Sequence, residues 1–333
     1  MRVAVIYGGA SAEREVSLVT GRAVAAALRE RGHEACLVDT ASKEPAGRES
    51  ASDATARAIM GEDVARAEVV FVALHGGAGE NGTVQGLLEL AGKRYTGSGV
   101  FASALAMDKR MSKLAFRAAG VPTPEWRMVL SDDAAGSAAG SGSPVFPDDL
   151  SPGDERRAAR ELGGYPIIVK PNDQGSTVGL TLVEDEKALA GAFELAADHS
   201  SHVLFERYIP GRELTVAVLE GTRLPLVEAE PSTGLYDYEC KYTKGMTEYT
   251  CPADVPGDIA EKMTDAGHRA FESLGCHGYG RVDFRLAPDG RFYCLEVNTV
   301  PGMTDVSLVP MAAAAAGVSF GELCERIAET ALS

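Results

Sequence analysis

Charged and amide side chains alternate with apolar ones at both ends of the stretch 281–298, RVDFRLAPDGRFYCLEVN. Asp289-Gly290 in its middle predicts a two-residue type I′ turn, which would place Asp283 opposite Glu296 in a β-hairpin. The same register sets Arg281 opposite Asn298, so period-two alternation brings all four side chains to one face. Directly opposed carboxylates repel each other, and a bound cation would remove that cost. Two carboxylates and an amide suit Mg²⁺ when substrate phosphates and water complete its coordination.

Two alternatives remain open for this hairpin. The polar face could simply be solvated, and a three-residue turn would break the predicted register. In that register the opposite face carries four apolar side chains, those of Val282, Phe284, Leu295 and Val297.

Lys170 stands where an ammonium group could reach a phosphate, after the apolar run 167–169 and before the polar loop PNDQGSTVG. Backbone N–H groups of such a loop can surround phosphate oxygens. Because the lysine precedes the glycines, the pattern is not a Walker A loop, and by itself it is equally typical of an ordinary hairpin. Lys109, at the start of a helical segment, is a second candidate or else a solvated charge on that helix.

The first hundred residues alternate apolar strands with helices and glycine turns. Strands are predicted at 3–7, 35–38 and 68–74, a helix at 16–31, and glycine turns at 8–12 and 76–82. Continuous apolar strands separated by helices are typical of a parallel sheet covered on both faces. Such sheets bind ligands beyond the carboxyl ends of their strands, where both glycine turns lie.

The rest of the chain has a different pattern. Residues 131–154 are mainly Ser, Gly, Ala, Asp and Pro, which predicts an exposed loop or insertion. Gly221-Thr222 is a candidate two-residue hairpin turn. Apolar residues at 259, 263, 266, 270 and 274 form a helical stripe that we expect in a core. Helices are predicted at 155–162, 188–197 and 259–274, and strands at 166–170, 180–183, 213–220 and 223–230.

Composition limits the classes of partner. The 333 residues include 32 Lys and Arg against 48 Asp and Glu, a net charge of −16, so bulk attraction to nucleic acid or to an anionic membrane is not expected. A polyanion would have to be bound by local lysines and arginines, by backbone N–H groups or by a metal. The apolar run between Arg2 and Gly8 is too short for a signal-peptide core, no apolar run approaches the length of a membrane span, and the six cysteines lack a C-x-x-C pair. We therefore expect a cytoplasmic protein with reduced thiols.

Nine segments, in order along the chain, resemble those of D-alanine:D-alanine ligases. They are YGGASAEREVSL (7–18), ALHGGAGENGTVQGLLEL (73–90), YTGSG (95–99), MDK (107–109), IIVKPNDQGSTVG (167–179), YDYECKY (236–242), GRVDF (280–284), EVNTVPGMT (296–304) and SLVPMA (307–312). The resemblance spans nearly the whole chain and implies the ATP-grasp fold, α/β with an α+β C-terminal half. The implied domains are a doubly wound parallel-sheet substrate domain at 1–97, a central lid at 98–205 and a C-terminal catalytic domain with a mixed or antiparallel sheet at 206–333.

The resemblance also implies an activity. In that family the carboxylate of a first D-alanine attacks the γ-phosphate of ATP, and the amine of a second D-alanine attacks the resulting acyl phosphate. The products are ADP, phosphate and the dipeptide used for peptidoglycan precursors. The implied cofactors are ATP and two Mg²⁺ ions, which Mn²⁺ could replace, and the implied assembly is a homodimer that acts on small molecules rather than on nucleic acid or membrane.

Residues that match the family's motifs carry implied roles. The implied magnesium ligands are Asp283, Glu296 and Asn298. The implied ATP contacts are Lys109, Lys170 and Lys241 at the phosphates, Glu206, Ile209 and Glu213 at the adenine and ribose, and Arg207. The implied catalytic residues are Glu13, Ser176, Tyr242, Arg281 and Gly302, and the implied substrate contacts are Glu13, His75, Arg281, Ser307 and Leu308.

Within the last two groups, Glu13 matches the residue that binds the ammonium of the first D-alanine, and Ser176 and Tyr242 match hydroxyl partners that link it to the lid. Arg281 and the Gly302 N–H match the groups that stabilise the oxyanion of the tetrahedral intermediate. Ser307 and Leu308 match contacts to the second D-alanine's carboxylate. Simpler roles remain open: Glu13 could be an acid at a helix start, Arg281 could merely pair with Asp283, and Tyr242 could pack in a core.

Two departures from the family and three other functions limit these expectations. Arg207 stands where the family commonly has Lys, which is not an equivalent ligand, and the segment 131–154 has no counterpart.

The three other functions are as follows. Tyr242 resembles the amide-forming subgroup, and a D-alanine:D-lactate ligase is the first alternative. A nicotinamide-dependent dehydrogenase would use the Gly8-Gly9 turn and Asp39, but that turn lacks G-x-G-x-x-G. A non-catalytic nucleotide-binding module is the third.

Overall fold

Three β-sheets organise the protein, whose computed structural model describes residues 1–41, 49–132, 144–231, 245–304 and 306–332. The first sheet is parallel with the strand order β2-β1-β3, which confirms the predicted parallel sheet. Its strands are β1 (Arg2–Tyr7), β2 (Glu34–Asp39) and β3 (Val69–Val72), and its helices are α1 (Arg14–Glu30), α2 (Ala51–Ile59), α3 (Glu62–Arg66) and α4 (Thr83–Leu90). Both glycine turns follow the carboxyl ends of these strands, at the edge where such a sheet binds ligands.

The second sheet is antiparallel and has the strand order β4-β7-β5-β6. Its elements are β4 (Trp126–Leu130), α7 (Glu155–Glu161), β5 (Ile167–Pro171), β6 (Thr181–Val183), α8 (Leu189–Ala197) and β7 (His202–Arg207). Helices α7 and α8 pack on one face, where Ile167, Val169 and Phe205 belong to a common core. Because neighbouring residues of a strand face opposite sides, Ile168, Lys170 and Glu206 lie on the other face.

The third sheet is antiparallel, with the order β11-β10-β8-β12-β13 and with β9 paired to β8. Its strands are β8 (Arg212–Leu219), β9 (Thr222–Arg223), β10 (Val227–Pro231), β11 (Thr247–Thr250), β12 (Tyr279–Leu286) and β13 (Phe292–Asn298). Helices α5 (Val100–Met107), α6 (Lys109–Ala118) and α9 (Gly257–Ser273) pack on one face, and α10 (Leu308–Ala315) and α11 (Phe320–Thr330) lie on the other. In the described ranges no single helix is long and apolar enough to cross a membrane; α10 and α11 reach that size only together, with a bend of 109°.

The turn between β12 and β13 differs from the predicted one. The predicted two-residue turn at Asp289-Gly290 is wrong, since three residues, Pro288 to Gly290, form the turn. The Ala287 N–H donates to the Arg291 carbonyl across it at 2.8 Å. Gly290 takes φ +81°, a left-handed conformation that favours glycine. Near the turn the register is consequently shifted by one residue, with Leu286 opposite Phe292.

A β-bulge at Leu295 cancels this shift before the polar end of the hairpin. Beyond it the predicted pairs of Asp283 with Glu296 and of Arg281 with Asn298 are confirmed. The bulge also changes the apolar face, because Cys294 is fully buried in the core and Leu295 instead borders a cleft. The prediction that Leu295 lies on the apolar face is therefore wrong.

Two other local predictions are corrected by the structure. The hairpin after β8 turns at Glu220-Gly221, because Leu219 pairs with Thr222, so the expected turn at Gly221-Thr222 is one residue late. Part of the predicted exposed insertion is packed: Leu150 is 5% exposed and exchanges main-chain hydrogen bonds with β4. Asp149 beside it forms a buried ion pair with Arg110 of α6.

The predicted domain border at 205/206 falls inside β7, which belongs to the second sheet as far as Arg207. Helices α5 and α6, which the sequence predicted in the lid, contribute to the core of the third sheet. We therefore propose a border after Arg207, with α5 and α6 counted with the third sheet. The predicted helical stripe of α9 lies in the same core, with Ile259 at its margin.

Gly267 lets α9 approach β8 closely. A Cβ at this position would lie 2.7 Å from Val216 Cγ1 and 2.8 Å from Val216 Cβ. We expect Gly267→Ala to destabilise the protein by about 1 to 3 kcal/mol through overpacking, as measured by chemical denaturation. Gly191→Ala in α8 is the matched control, because nothing lies within 4 Å of its added Cβ, and it should stabilise by about 0.5 to 1 kcal/mol. Equal stability of the two variants would contradict the close contact.

Candidate active site

Two adjoining clefts open where the three sheets meet. The larger, with about 840 Å³ of empty volume, is lined by residues of the second and third sheets. The smaller, with about 650 Å³, is lined by the glycine turns of the first sheet and by the polar end of the β12–β13 hairpin. Lys109, Gln174, Gly175 and Glu296 border both clefts. Molecules bound in the two clefts would therefore meet at this shared wall.

The larger cleft combines apolar surface with ammonium and guanidinium groups. Ile168, Leu180 and Leu295 supply apolar surface. Six of the residues predicted to contact ATP border this cleft: Lys109, Lys170, Glu206, Arg207, Ile209 and Glu213. A lining of this kind suits a ligand that joins an aromatic ring to an anionic group.

The carboxylate of Glu206 lies between two lysines. Its Oε1 accepts a hydrogen bond from Lys170 Nζ at 2.9 Å, and its Oε2 is 2.5 Å from Lys113 Nζ. Burial opposes ionisation of this carboxylate, but the two ammonium groups hold its pKa below the ordinary value. The carboxylate of Glu206 therefore serves as an anion shared by two lysines.

Lys109 reaches the shared wall from the first turn of α6. Asp108 caps this helix by accepting a hydrogen bond from the Met111 N–H at 2.9 Å. Lys109 Nζ donates to the Gln174 carbonyl at 2.5 Å and is 3.7 Å from Glu296 Oε2. Burial lowers the pKa of this ammonium group. The alternative of a solvated helix charge is therefore wrong for Lys109.

Arg285 borders the larger cleft and is a residue that sequence reasoning missed. Its Nε donates to the Ile209 carbonyl at 3.1 Å, and its Nη1 donates to Glu213 Oε2 at 3.2 Å. It thereby fixes the turn between β7 and β8 that lines the cleft. The alternation of Arg281, Asp283 and Arg285 along one strand face is the signal that could have identified it.

Glu13 and Ser176 meet in the smaller cleft. Glu13 ends the first glycine turn just before α1, is 8% exposed, and accepts a hydrogen bond from Ser176 Oγ at 2.5 Å. The second glycine turn passes close to it, since a Cβ at Gly76, whose φ is +69°, would lie 2.6 Å from Glu13 Oε2. Arg281 and Gly302 border the same cleft. The cleft thus offers a carboxylate for an ammonium group and a guanidinium for an anion.

His75 borders the smaller cleft, but both of its ring nitrogens already have protein partners. Nδ1 is 3.1 Å from the Val300 carbonyl and Nε2 is 3.0 Å from Thr20 Oγ1. The bond to Val300 joins the first sheet to the loop after β13, and the bond to Thr20 orients the imidazole against α1. Glu80, whose Oε1 is 3.8 Å from Nδ1, is a further carboxylate of this cleft that the sequence analysis did not single out.

The polar end of the β12–β13 hairpin brings the three predicted magnesium ligands together. Arg281 Nε is 3.1 and 3.0 Å from the two oxygens of Asp283, so the pairing considered as an alternative for Arg281 is present. Thr215 Oγ1, from the neighbouring β8, donates to Asp283 Oδ1 at 2.7 Å. Asn298 Oδ1 accepts the Val300 N–H at 2.9 Å and retains a second lone pair.

This set of oxygens fits Mg²⁺ in the presence of a phosphate ligand. Two carboxylates and an amide carbonyl on one strand pair are hard donors, and Mg²⁺ commonly combines one or two carboxylates with substrate phosphates and water. Among the described residues no cluster of three or more His, Cys, Asp and Glu forms a metal site. The hairpin therefore suits a cation that arrives with a phosphate better than one bound by protein alone.

The turn over the shared wall has a strained backbone. Ser176 and Thr177 take φ angles of +48° and +62°, which non-glycine and especially β-branched residues rarely adopt. Such conformations persist where surrounding contacts hold them. The bond from Ser176 to Glu13 is the contact that holds this turn against the first sheet.

Ser176→Ala is expected to loosen this turn. Loss of a hydrogen bond to a carboxylate, which contributes about 1.5 kcal/mol or more, should raise the rate of proteolytic cleavage between Asn172 and Gly179 by roughly tenfold. Limited proteolysis with mass mapping measures this rate, and Ser151→Ala on an exposed loop serves as the control. Cleavage of Ser176→Ala at the rate of the unmodified protein would show that the bond does not hold the turn.

The remaining predicted contacts are only partly described. Lys241 and Tyr242 lie outside the described residues. Neither Ser307 nor Leu308 borders the two clefts; Ser307 Oγ accepts the Thr304 N–H at 3.0 Å, and the Leu308 side chain packs in a core. A Cβ at Gly302 would lie 2.8 Å from Ser307 Oγ, so Ser307 adjoins the smaller cleft through Gly302.

Family comparisons agree with this arrangement. Residues 2–98 match the D-ala D-ala ligase N-terminus family and residues 116–329 match the D-ala D-ala ligase C-terminus family. The chain is 44% identical over 326 residues to a D-alanine--D-alanine ligase of Syntrophotalea carbinolica, covering 98% of this chain and 94% of that protein. It is 46% identical over 335 residues to one of Anaeromyxobacter sp., with coverages of 99% and 96%.

Solved structures show the same relationship. The D-alanine--D-alanine ligase from Bacillus anthracis complexed with ATP has a TM-score of 0.78 and 30% identity, covering 100% of this chain and 97% of that one. The VanG D-Ala:D-Ser ligase from Enterococcus faecalis has a TM-score of 0.78 and 27% identity, with coverages of 99% and 98%. The predicted ATP-grasp fold is confirmed. The family matches and the relatives that cover nearly the whole chain show, in agreement with the fold and the two clefts, that the chain belongs to the D-alanine:D-alanine ligase family.

Proposed function

We propose that the protein joins two D-alanine molecules to D-alanyl-D-alanine and converts ATP to ADP and phosphate. The observation that carries the proposal is the wall shared by the two clefts, because Lys109 and Glu296 border both. A triphosphate in the larger cleft would meet the carboxylate of an amino acid in the smaller one at these residues. The curated relatives named as D-alanine--D-alanine ligases support this assignment.

ATP would occupy the larger cleft. Its adenine would contact the apolar surface that includes Ile168 and Leu295, and its phosphates would contact the ammonium groups of Lys109 and Lys170. These lysines answer the question raised by the net charge of −16, since they supply local positive charge in an acidic protein. Asp283, Glu296 and Asn298 would hold Mg²⁺, which Mn²⁺ could replace, and bound ions would neutralise charge on the transferring phosphoryl group.

The first D-alanine would bind with its ammonium group at Glu13. Its carboxylate oxygen would then form a bond to the γ-phosphorus as the bond from that phosphorus to the β,γ-bridging oxygen breaks, which gives an acyl phosphate and ADP. Phosphoryl transfer depends chiefly on positioning and charge neutralisation. The contribution of the chain to this step is the placement of Glu13 on one side of the shared wall and of the lysines on the other.

The second D-alanine would attack the acyl phosphate as a neutral amine. Its nitrogen would bond to the carbonyl carbon, and the oxyanion of the tetrahedral intermediate would contact Arg281 and the Gly302 N–H. As the carbonyl re-forms, the bond from carbon to the phosphate oxygen would break, and phosphate would leave with the proton that the nitrogen loses. Ser307 and the main chain of Leu308 would contact the second carboxylate. We also propose that Lys241 contacts the phosphates of ATP and that the Tyr242 hydroxyl links Glu13 to the lid. We further propose that the protein is a cytoplasmic homodimer that supplies peptidoglycan precursors.

Phosphate release from ATP and Mg²⁺, measured with and without D-alanine, tests the activity. We expect release that depends on D-alanine and a dipeptide identified by mass. Phosphate release that does not respond to D-alanine would contradict the proposal and would favour a different nucleotide-dependent function.

Competition between D-alanine and D-lactate at pH 6 and pH 8 tests the second substrate. Because the attacking amine must be neutral, dipeptide formation should decline below neutral pH, whereas a hydroxy acid carries no ammonium to deprotonate. We expect dipeptide as the main product. Predominant depsipeptide at both pH values would identify the D-lactate alternative, and D-serine in a parallel reaction tests the activity named for the VanG neighbour.

A further inference from the structure

Lys113 is a fully buried lysine to which the reaction described above gives no role. It lies on α6 one turn after Lys109, with 0% of its surface exposed. Its Nζ donates to Thr123 Oγ1 at 2.8 Å and to the Pro124 carbonyl at 3.2 Å, and it is 2.5 Å from Glu206 Oε2. An ammonium group is costly to bury, and an apolar side chain would fill the same space without that cost.

Polar contacts lead through Lys113 from the β12–β13 hairpin to the second sheet. Thr123 Oγ1 accepts from Lys113 and donates to the Cys294 carbonyl at 2.8 Å. Cys294 lies two residues before Glu296 on β13. At the other end, Glu206 of β7 binds Lys170 of β5 at 2.9 Å. The ammonium group of Lys170 is therefore connected to the hairpin that carries the predicted magnesium ligands.

Lys113 also changes the charge that a phosphate would encounter. Glu206 alone would neutralise Lys170, and the pair would attract an anion weakly. With Lys113 bound to the second carboxylate oxygen, two ammonium groups share one carboxylate, and these three groups together carry one net positive charge beside the larger cleft. Burial lowers the pKa of Lys113 to about 8, which still leaves its ammonium form predominant at neutral pH.

We propose that Lys113 is a positioning residue for phosphoryl transfer, which orients Glu206 so that the ammonium group of Lys170 is held at the triphosphate with its charge uncompensated. The proposal rests on ATP binding in the larger cleft as given under the proposed function. It assigns Lys113 an effect on the phosphates of the nucleotide and none on the adenosine.

Lys113→Met, which removes the charge and keeps the length of the side chain, is the main test. We expect the full-length variant to bind a non-hydrolysable ATP analogue about 10- to 100-fold more weakly, with a similar loss in kcat/KM for ATP, as one unit charge near a partly buried site can produce. The inhibition constant of adenosine should not change. Arg117→Met is the matched control, because Arg117 lies one turn further along α6, is 46% exposed and pairs with Glu125 away from the clefts.

The double variant Lys113→Met with Glu206→Gln separates charge from packing. It removes one ammonium and one carboxylate, so Lys170 again carries the uncompensated charge, and we expect it to recover part of the analogue affinity that Lys113→Met loses. It also provides the measurement if Lys113→Met alone does not fold.

Three results would overturn the proposal. The first is that Lys113→Met binds the ATP analogue as tightly as the unmodified protein does. The second is that Lys113→Met loses affinity for the analogue and for adenosine to the same extent. The third is that the double variant binds the analogue no better than Lys113→Met does. Failure of the unmodified protein to release phosphate with D-alanine is a different result, which would refute the proposed function instead.

Discussion

Glu296→Gln is expected to lower kcat by roughly three orders of magnitude while the fold is retained, because metal-assisted charge stabilisation is worth several kcal/mol. Glu296 lies directly opposite Asp283, so its neutralisation removes a repulsion within the hairpin and should not destabilise the sheet. The same change removes one of the two carboxylates that would hold Mg²⁺. It also removes the negative charge that lies 3.7 Å from the Lys109 ammonium group. The measurement is kcat at saturating ATP, D-alanine and Mg²⁺, together with the melting temperature.

Glu230→Gln provides the control for this experiment. Glu230 is exposed on β10 of the same sheet and borders neither cleft, so kcat should be unchanged. A normal turnover number for Glu296→Gln at saturating Mg²⁺ would exclude Glu296 as a metal ligand. A large fall in melting temperature would instead assign the carboxylate a structural role.

Arg281→Lys is expected to reduce kcat by about 100- to 1,000-fold, the usual effect of removing one oxyanion donor. Arg281 uses its Nε to contact Asp283, and its side chain is one of those that line the smaller cleft. A lysine has a single ammonium group, which cannot reproduce this planar set of donors. The substitution keeps the charge, so a loss of activity would report the geometry of the donors.

Arg285→Lys is the informative comparison, since Arg285 lies four residues further along β12 and borders the larger of the two clefts but not the smaller. We expect it to raise KM for ATP more than it lowers kcat, because its contacts fix the turn beside Ile209 and Glu213. Steady-state kinetics with ATP varied at saturating D-alanine distinguishes the two effects. Near-full turnover by Arg281→Lys would reject the role in oxyanion stabilisation.

The β12–β13 hairpin was predicted correctly at its polar end and incorrectly at its turn. Alternation and turn propensity predicted the pairs Asp283 with Glu296 and Arg281 with Asn298, and the structure confirms both. The turn itself was predicted one residue too short, and the agreement returns only because Leu295 bulges out of β13. A bulge depends on which side chains pack on each face of a strand. Here Cys294 packs in a core, and the neighbouring residues in the sequence do not specify that packing.

Several residues around the clefts could not be predicted because their roles depend on contacts between distant segments. Lys113 resembles any helical lysine until Glu206, more than ninety positions later, is brought to it. Thr215 gains its role only when β8 pairs with β12. Asp149 lies in a stretch whose composition is that of a loop, yet Arg110 binds it in a buried site. Motif matches, by contrast, identified Glu13 and Ser176, which the structure joins across 163 positions.

The distribution of apolar cores indicates which sheets we expect to move together. One core is continuous from the first sheet through α10 and α11 to a face of the third sheet, and His75 bonds the Val300 carbonyl across the same junction. The second sheet has cores of its own and reaches Glu13 through Ser176. The first and third sheets, which carry Glu13 and the β12–β13 hairpin, therefore share a core, while the turn at Ser176 follows a sheet with separate cores. We expect a shift of the second sheet to change the opening of the larger cleft more than it changes the separation of Glu13 from the β12–β13 hairpin.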